Sequence, residues 1–391
     1  MRRGPWHQCG DRSQKIVLEQ LQLNIGVGVI ISPRDLSYQY ATDYAAQYRD
    51  AGAEVLIDQQ FYNPQFSNKK LASYPTNQYR TTASQLHRLT DPELAVLSAR
   101  LQEINSDLGT NALIAPAVVY EAGRPDIEAL NAKLFAAAKS VGNTLGIPTL
   151  ATVVLGSSVT SADQTVLSAL SHATSLDADG WYFGFEFGSE RIPSSRERVL
   201  RCCMAGLTLA CTGKPILHAY AGPSGLLSFG FGATGAAVGH SQNLWHFNRS
   251  RWESTPQQGG GGDAPARFFS ASLWGTIVHH DETAQLPPGL RTQILTPSPF
   301  VTPWARWQAN KHLVYTICST LTNIATQTNA KLCAQSAIAI LNTAVGLHAN
   351  IASTHLTLRD DTNAYQQNWS AAVTDLLNIH GSSFDYLDLL V

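Results

Sequence analysis

The stretch IPTLATVVLGSSVTSADQTVLSALSHATSLDADGWYFGFEF, residues 147–187, decides the fold. It opens on a continuous apolar, β-branched run, passes into a helical repeat, and returns to an apolar, aromatic run. A strand that is apolar without alternation is buried on both faces, the habit of parallel sheets covered by helices. Strand, helix and strand in this order make a β-α-β unit, whose crossover is right-handed.

The alternation continues outward in both directions. Upstream, NIGVGVIIS (24–32), AEVLIDQQF (53–61) and ALIAPAVVYEAG (112–123) read as strands, with helical stretches at 36–49, 91–108 and 125–146. Downstream, 194–213 reads as a helix and KPILHAYAG (214–222) as the sixth strand. TGAAVGH (234–240) is then the seventh, and RFFSASLWGTIV (267–278) the eighth. Eight strands in such an order predict an α/β fold, a closed (β/α)8 TIM-type barrel. The rival is an open doubly wound sheet. GVGVII does not suit it, because its glycines lie inside a strand and not in a turn before a helix.

Two regions follow. Residues 1–328 make the barrel, with an N-terminal extension and a long loop at 241–266 that holds the GGGG run. Residues 329–391 make a helical C-terminal appendage, rich in Ala, Leu, Ile and Thr.

The 391 residues carry a formal net charge of −2, and charged residues are 14% of the chain. The balance gives no basic field for nucleic acid. Charge well below the roughly 25% of typical domains points to a homo-oligomer or a subunit of a complex. None of the six cysteines forms a C-x-x-C pair, and the chain length argues against a disulfide framework. MRRGPWHQCG lacks the apolar run of a signal peptide, and no stretch reaches the ~18 apolar residues of a membrane span. A cytoplasmic setting without a membrane is the expectation.

Barrel chemistry takes place at the C-terminal ends of the strands. There the sequence sets Asp35, Asp58, Tyr120, Glu121, Ser157, Ser158, Glu186, His218, Tyr220 and His240, with Trp274 on the eighth strand. Asp58, Glu121 and Glu186 are paired-carboxylate candidates: burial and repulsion can hold one protonated while another stays charged. Each also has a structural reading. Glu186 would pair with Arg191 or Arg196, Glu121 with Arg124, and His218 would be a core histidine. VHHDE (278–282) sets adjacent histidines on opposite faces of an extended chain, so no metal site is expected. No cofactor motif is present. NLWHFNRSRWE (243–253) interleaves Trp245, Arg249, Arg251 and Trp252. It reads as a lid packing its tryptophans on the rim, or as a local surface that stacks bases.

DGWYFGFE (179–186) resembles a strand signature of barrel glycoside hydrolases that use substrate assistance, where an Asp-Gly opening precedes a glutamate acid at this spacing. The chitinase-type version carries acids where this chain has Tyr182 and Gly184. KPILHAYAGPSGLLSFGFGATGAAVGH (214–240) resembles part of the tRNA-guanine transglycosylases, without their cysteine-rich zinc site. Both resemblances imply carboxylate chemistry at an anomeric carbon.

The expectation is a barrel enzyme acting at a glycosidic C–O or C–N bond of a sugar or nucleoside-type ligand. Glu186 would be the general acid, Asp58 the base or cation stabiliser, and Glu121 and His218 further catalytic candidates. Tyr120, Tyr220, His240, Trp245, Arg249, Arg251 and Trp274 would bind substrate. The alternative is a non-catalytic barrel subunit of a larger assembly, contacting nucleic acid through the Trp/Arg loop.

Overall fold

The computed structural model describes every residue except 83, 86–88, 189, 191, 253–265, 297, 301–303, 328, 360–362 and 391. Its eight-stranded sheet is parallel throughout: β1 (Gly4–Gln8), β2 (Gly28–Ile31), β3 (Glu54–Ile57), β4 (Leu113–Ile114), β5 (Thr149–Leu155), β6 (Gly180–Phe185), β7 (Ile216–His218) and β8 (Gly235–Gly239). The neighbour order β3-β2-β1-β8-β7-β6-β5-β4 wraps into a TIM-type barrel. At its seam, between β3 and β4, Asn111 does the joining. Its N–H donates to the Val55 carbonyl (3.0 Å), and its Oδ1 accepts from the Val55 N–H (2.7 Å).

The number of strands matches the expectation, but two assignments need correcting. GPWHQ, expected in an extension, is the first barrel strand. Trp6 sits opposite Gly28 of β2 and Ala237 of β8. RFFSASLWGTIV is not in the barrel. It folds as an antiparallel hairpin, β9 (Arg267–Ser270) and β10 (Gly275–Val278), in a sheet of its own. Ser270 Oγ accepts from the Leu273 N–H (3.2 Å), and Trp274 turns the chain at a left-handed φ of +43°.

The helices are α1 (Gln14–Gln22), α2 (Tyr38–Asp50), α3 (Asp91–Leu108), α4 (Pro125–Leu145), α5 (Asp163–Thr174), α6 (Arg196–Ala210) and the short α7 (Gly225–Ser228). After the hairpin, α8 (Asp281–Gln285) and α9 (Pro288–Ile294) lead to α10 (Arg306–Ala325), which packs on β1, β8 and α1 as the eighth barrel helix. Then come α11 (Ala330–Ser353), α12 (Asn363–Ile379) and α13 (Gly381–Leu389). The side chains of Leu341, Ala344, Trp369 and Phe384 join the same core as the barrel helices. The expectation of no stretch apolar enough to span a membrane is corrected by α11, whose length and composition suffice. Its Cys333, Ala337, Leu341 and Ala344 are buried in the body of the protein.

Side chains alternate along each strand, so each strand feeds two cores. The inner one fills the barrel with Trp6, Ile30, Leu56, Ile114, Leu150, Tyr182, Leu217 and Ala237. Trp6 takes so much of the floor that positions 28 and 235 beside its ring must be glycine. A Cβ on Gly28 would lie 2.3 Å from its ring, and one on Gly235 2.8 Å. The other core lies between strands and helices.

Candidate functional site

Leu56 points into the barrel, so two residues later Asp58 does as well, at the C-terminal end of β3. It is 2% exposed. The hydroxyl of Tyr62 lies 3.0 Å from both carboxylate oxygens, and those of Tyr182 and Tyr220 lie 3.1 Å and 3.0 Å from Oδ2. The Gln60 N–H donates to Oδ1 at 3.0 Å. Burial pushes the Asp58 carboxyl up to about 6, against the pull of these four donors. Burial and the adjacent carboxyl lift all three phenols well above their usual range, so they stay protonated. Gln8, at the end of β1, sets Oε1 3.4 Å from the Tyr182 hydroxyl. Its Nε2 is buried without a hydrogen-bond partner among the described residues.

The 241–252 segment lies over this acid. Phe247 and Trp252 stack on each other, centroids 5.2 Å apart, and meet Tyr62 and Tyr220 edge to face. Two arginines hold the segment to the rim. Arg249 donates from its backbone N–H to Glu186 Oε1 (2.9 Å) and from Nη2 to Oε2 (3.2 Å), and it also pairs with Glu121. Arg251 reaches Asp35 Oδ2 at 3.0 Å, with its guanidinium over the rings of Tyr220 and Trp252. Beside the segment is an open cleft of about 480 Å³, lined by Glu121, Ser157, Ser158, Glu186, Asn248 and Arg249 among others.

The structure therefore gathers Glu121, Glu186 and Arg249 on the rim, and Asp58 and Tyr220 one layer below, under Arg251. The other candidates lie elsewhere. His218 faces the helix layer, so it cannot serve the barrel mouth. Its Nδ1 is 2.6 Å from Ser228 Oγ, its ring lies among Phe183, Phe185 and Phe231, and burial drives its pKa down to about 3. Tyr120 also faces outward, with its hydroxyl 3.3 Å from His172 Nδ1. Trp274 belongs to the hairpin turn, where its Nε1 donates to the Pro223 carbonyl (3.1 Å). Trp245 is buried against Phe269. His240 closes β8 beside Gly10, and burial lowers it to about 4.

Glu186 pairs with Arg249; Arg196 instead pairs with Asp375, and Arg191 lies outside the described residues. Glu121 also meets Arg124 at 3.8 Å. The GGGG run is likewise outside the described residues. Among the described residues no group of three or more His, Cys, Asp or Glu is placed to hold a metal ion. Sequence reasoning missed Tyr62, Tyr182, Gln60 and Gln8. The first three had a legible signal: each sits at even spacing from an inward residue of its own strand or just beyond it.

No family model matches the chain, and no curated protein matches its sequence. Among solved structures it is similar to a glycerol uptake operon antiterminator-related protein from Thermotoga maritima MSB8, at 11% identity over 63% of this chain and 99% of that one, with a TM-score of 0.33. It is also similar to the 3-dehydroquinate dehydratase from Aquifex aeolicus VF5, at 10% identity over 60% and 88% of the two chains, with a TM-score of 0.37. Both likenesses are too distant to bear on chemistry.

Proposed function

We propose that this barrel is an enzyme that cleaves or transfers at a glycosidic bond, C–O or C–N, of a sugar or nucleoside-type substrate. One observation carries the reading. A carboxyl raised to about 6 sits at the catalytic end of the barrel, ringed by three phenols and covered by a loop. Such an acid holds a proton close to neutral pH, where an ordinary aspartate would not.

Glycosidic chemistry asks for one carboxyl that gives a proton and a second that faces the developing cation. Asp58 suits the first role and Glu186, once free of Arg249, the second, which exchanges the roles expected from sequence. Asp58 protonates the leaving oxygen or nitrogen as its bond to the anomeric carbon breaks. Water or an acceptor hydroxyl then adds to that carbon and returns a proton to Asp58. The rings of Tyr62 and Tyr220 become walls for a sugar or a base when Phe247 and Trp252 move away. The orphaned Nε2 of Gln8 is a further donor for a polar ligand. All six cysteines are free, which supports a reducing, cytoplasmic setting.

The second reading, a closed and non-catalytic barrel within a larger assembly, draws support from the same lid. Arg249 and Arg251 already have carboxylate partners, and Trp245 and Trp252 are buried, so these four side chains of the described part of the loop are engaged with the barrel and not held out for a nucleic acid. A panel of nitrophenyl glycosides and nucleosides separates the two. The enzyme reading expects turnover by the native chain that Asp58→Asn abolishes while the fold survives. No turnover by either the native chain or Arg249→Met, in which the lid is loosened, would favour the closed barrel.

A further inference from the structure

Two non-glycine residues near strand ends hold left-handed backbone, Gln60 at φ +55° and Tyr220 at φ +50°, and their side chains meet. Side chains of L-residues rarely tolerate this conformation, and it persists where the surroundings enforce it, often at working sites. Both residues also touch Asp58, Gln60 through its backbone N–H and Tyr220 through its hydroxyl.

The hydrogen bonds of Gln60 run in one direction. The Arg34 N–H donates to Gln60 Oε1 at 2.9 Å, which fixes the orientation of the carboxamide. Its Nε2 then faces Ser32 Oγ at 2.8 Å and the Tyr220 hydroxyl at 3.0 Å. An amide nitrogen only donates, so both hydroxyls must accept and turn their own single proton elsewhere. Ser32 turns its proton to Asp35 Oδ2, at 2.9 Å, and Tyr220 turns its proton to Asp58 Oδ2, at 3.0 Å.

We propose that Gln60 is a positioning residue: it fixes the Tyr220 proton on Asp58 and so sets how readily Asp58 gives up its own. The inference rests on the reading of Asp58 as the working carboxyl. The groups that face this pair are Tyr62, Tyr182, Arg251 over the Tyr220 ring, and Arg80, which donates to the Gln60 carbonyl at 2.8 Å. None of them takes the place of the amide donor to Tyr220.

The test titrates Asp58 in the free protein, through the infrared carboxyl band that is lost in Asp58→Asn. Gln60→Glu replaces a donor by an acceptor that competes for the Tyr220 proton, so the Asp58 midpoint should rise by about one unit or more, roughly tenfold in its ionisation ratio. Gln60→Met should raise it by less. In a Tyr220→Phe background, Gln60→Met should add nothing, because the hydroxyl it acts through is gone. A Gln60→Met shift of equal size with and without that hydroxyl would overturn the proposal, as would no upward shift in either variant. Should Gln60→Glu fail to fold, the methionine cycle decides alone. None of these titrations needs a substrate, so a failure of the glycoside and nucleoside panel, which tells against the enzyme reading, is distinct from a failure of the Asp58 titrations, which tells against this proposal.

Discussion

Arg249 holds Glu186 by two bonds, its backbone N–H on Oε1 at 2.9 Å and its Nη2 on Oε2 at 3.2 Å. One partner belongs to the covering loop and the other to the end of β6, so the pair joins the covering segment to the barrel itself. A bidentate hold of this kind is stronger than an exposed ion pair, which contributes roughly 0–1 kcal/mol.

The first prediction concerns this hold. In Arg249→Met the backbone bond remains while both side-chain pairs are lost. Amide hydrogen exchange across 244–252 should quicken severalfold, while β5 and β6 keep their protection. Raising the salt should move the native protein in the same direction. Unchanged exchange in the variant would mean that the Phe247–Trp252 stack holds the loop by itself.

The second concerns Asp58. Its folded pKa of about 6 exceeds the unfolded value of 3.8, so between these values the native state holds a proton that the unfolded chain releases. Its contribution to stability is complete below about pH 4 and is lost as pH rises through 6. Near pH 8 the buried charge costs about 3 kcal/mol. Asp58→Asn should therefore melt higher than the native protein at pH 8, and the gap should shrink by pH 5. Thermal melts at the two pH values test this; a gap of the same size at both would contradict it.

Acid should act in the opposite sense through three buried histidines and the partly buried His240. Burial lowers His7, His240 and His312 to about 4 and His218 to about 3, against an unfolded value of 6.5. Each takes up a proton on unfolding between those values, while Asp58 releases one. Stability should fall as pH drops below 6.5, with a net uptake of about three protons near pH 5 from these five groups. The slope of unfolding free energy against pH measures that number.

The floor of the barrel gives a fourth outcome. Trp6 is fully buried, and the glycines at 28 and 235 leave no side chain that can fill its place. Trp6→Ala should cost about 3–5 kcal/mol, read from the urea midpoint at constant slope. A cost under about 1 kcal/mol would mean that the floor collapses to fill the cavity.

Seven of the eight barrel strands were legible because each is a run of apolar residues long enough to stand out. β1 was not, since GPWHQ alternates Trp6 and Gln8 inward with His7 outward, and His7 finds its partner in the Ile25 carbonyl at 2.8 Å. The hairpin passed for one long strand because its turn, ASLW, carries no glycine, proline or asparagine. At the site, single acids were visible as strand-end residues. What they face was not, because the three phenols on Asp58 come from β6, from the segment after β7 and from the loop after β3. Tyr182, noted in the sequence only as the place of an absent acid, is one of them. His218 and Tyr120 were misplaced by one step of the pleat, which sends them to the helices.

The position of β1 bears on how the chain comes into being on the ribosome. It is the first of the eight barrel strands to be synthesised, yet one of its two neighbours is β8, which emerges only with Gly235–Gly239. Arg3 waits longer still, for the Ala325 carbonyl that it meets at 3.0 Å. Until then the growing chain carries open strand edges and a tryptophan without its full shelter, the features that chaperones bind and that aggregation exploits. Nascent chains halted before residue 235 should thus depend on chaperones, however well their β-α units have formed.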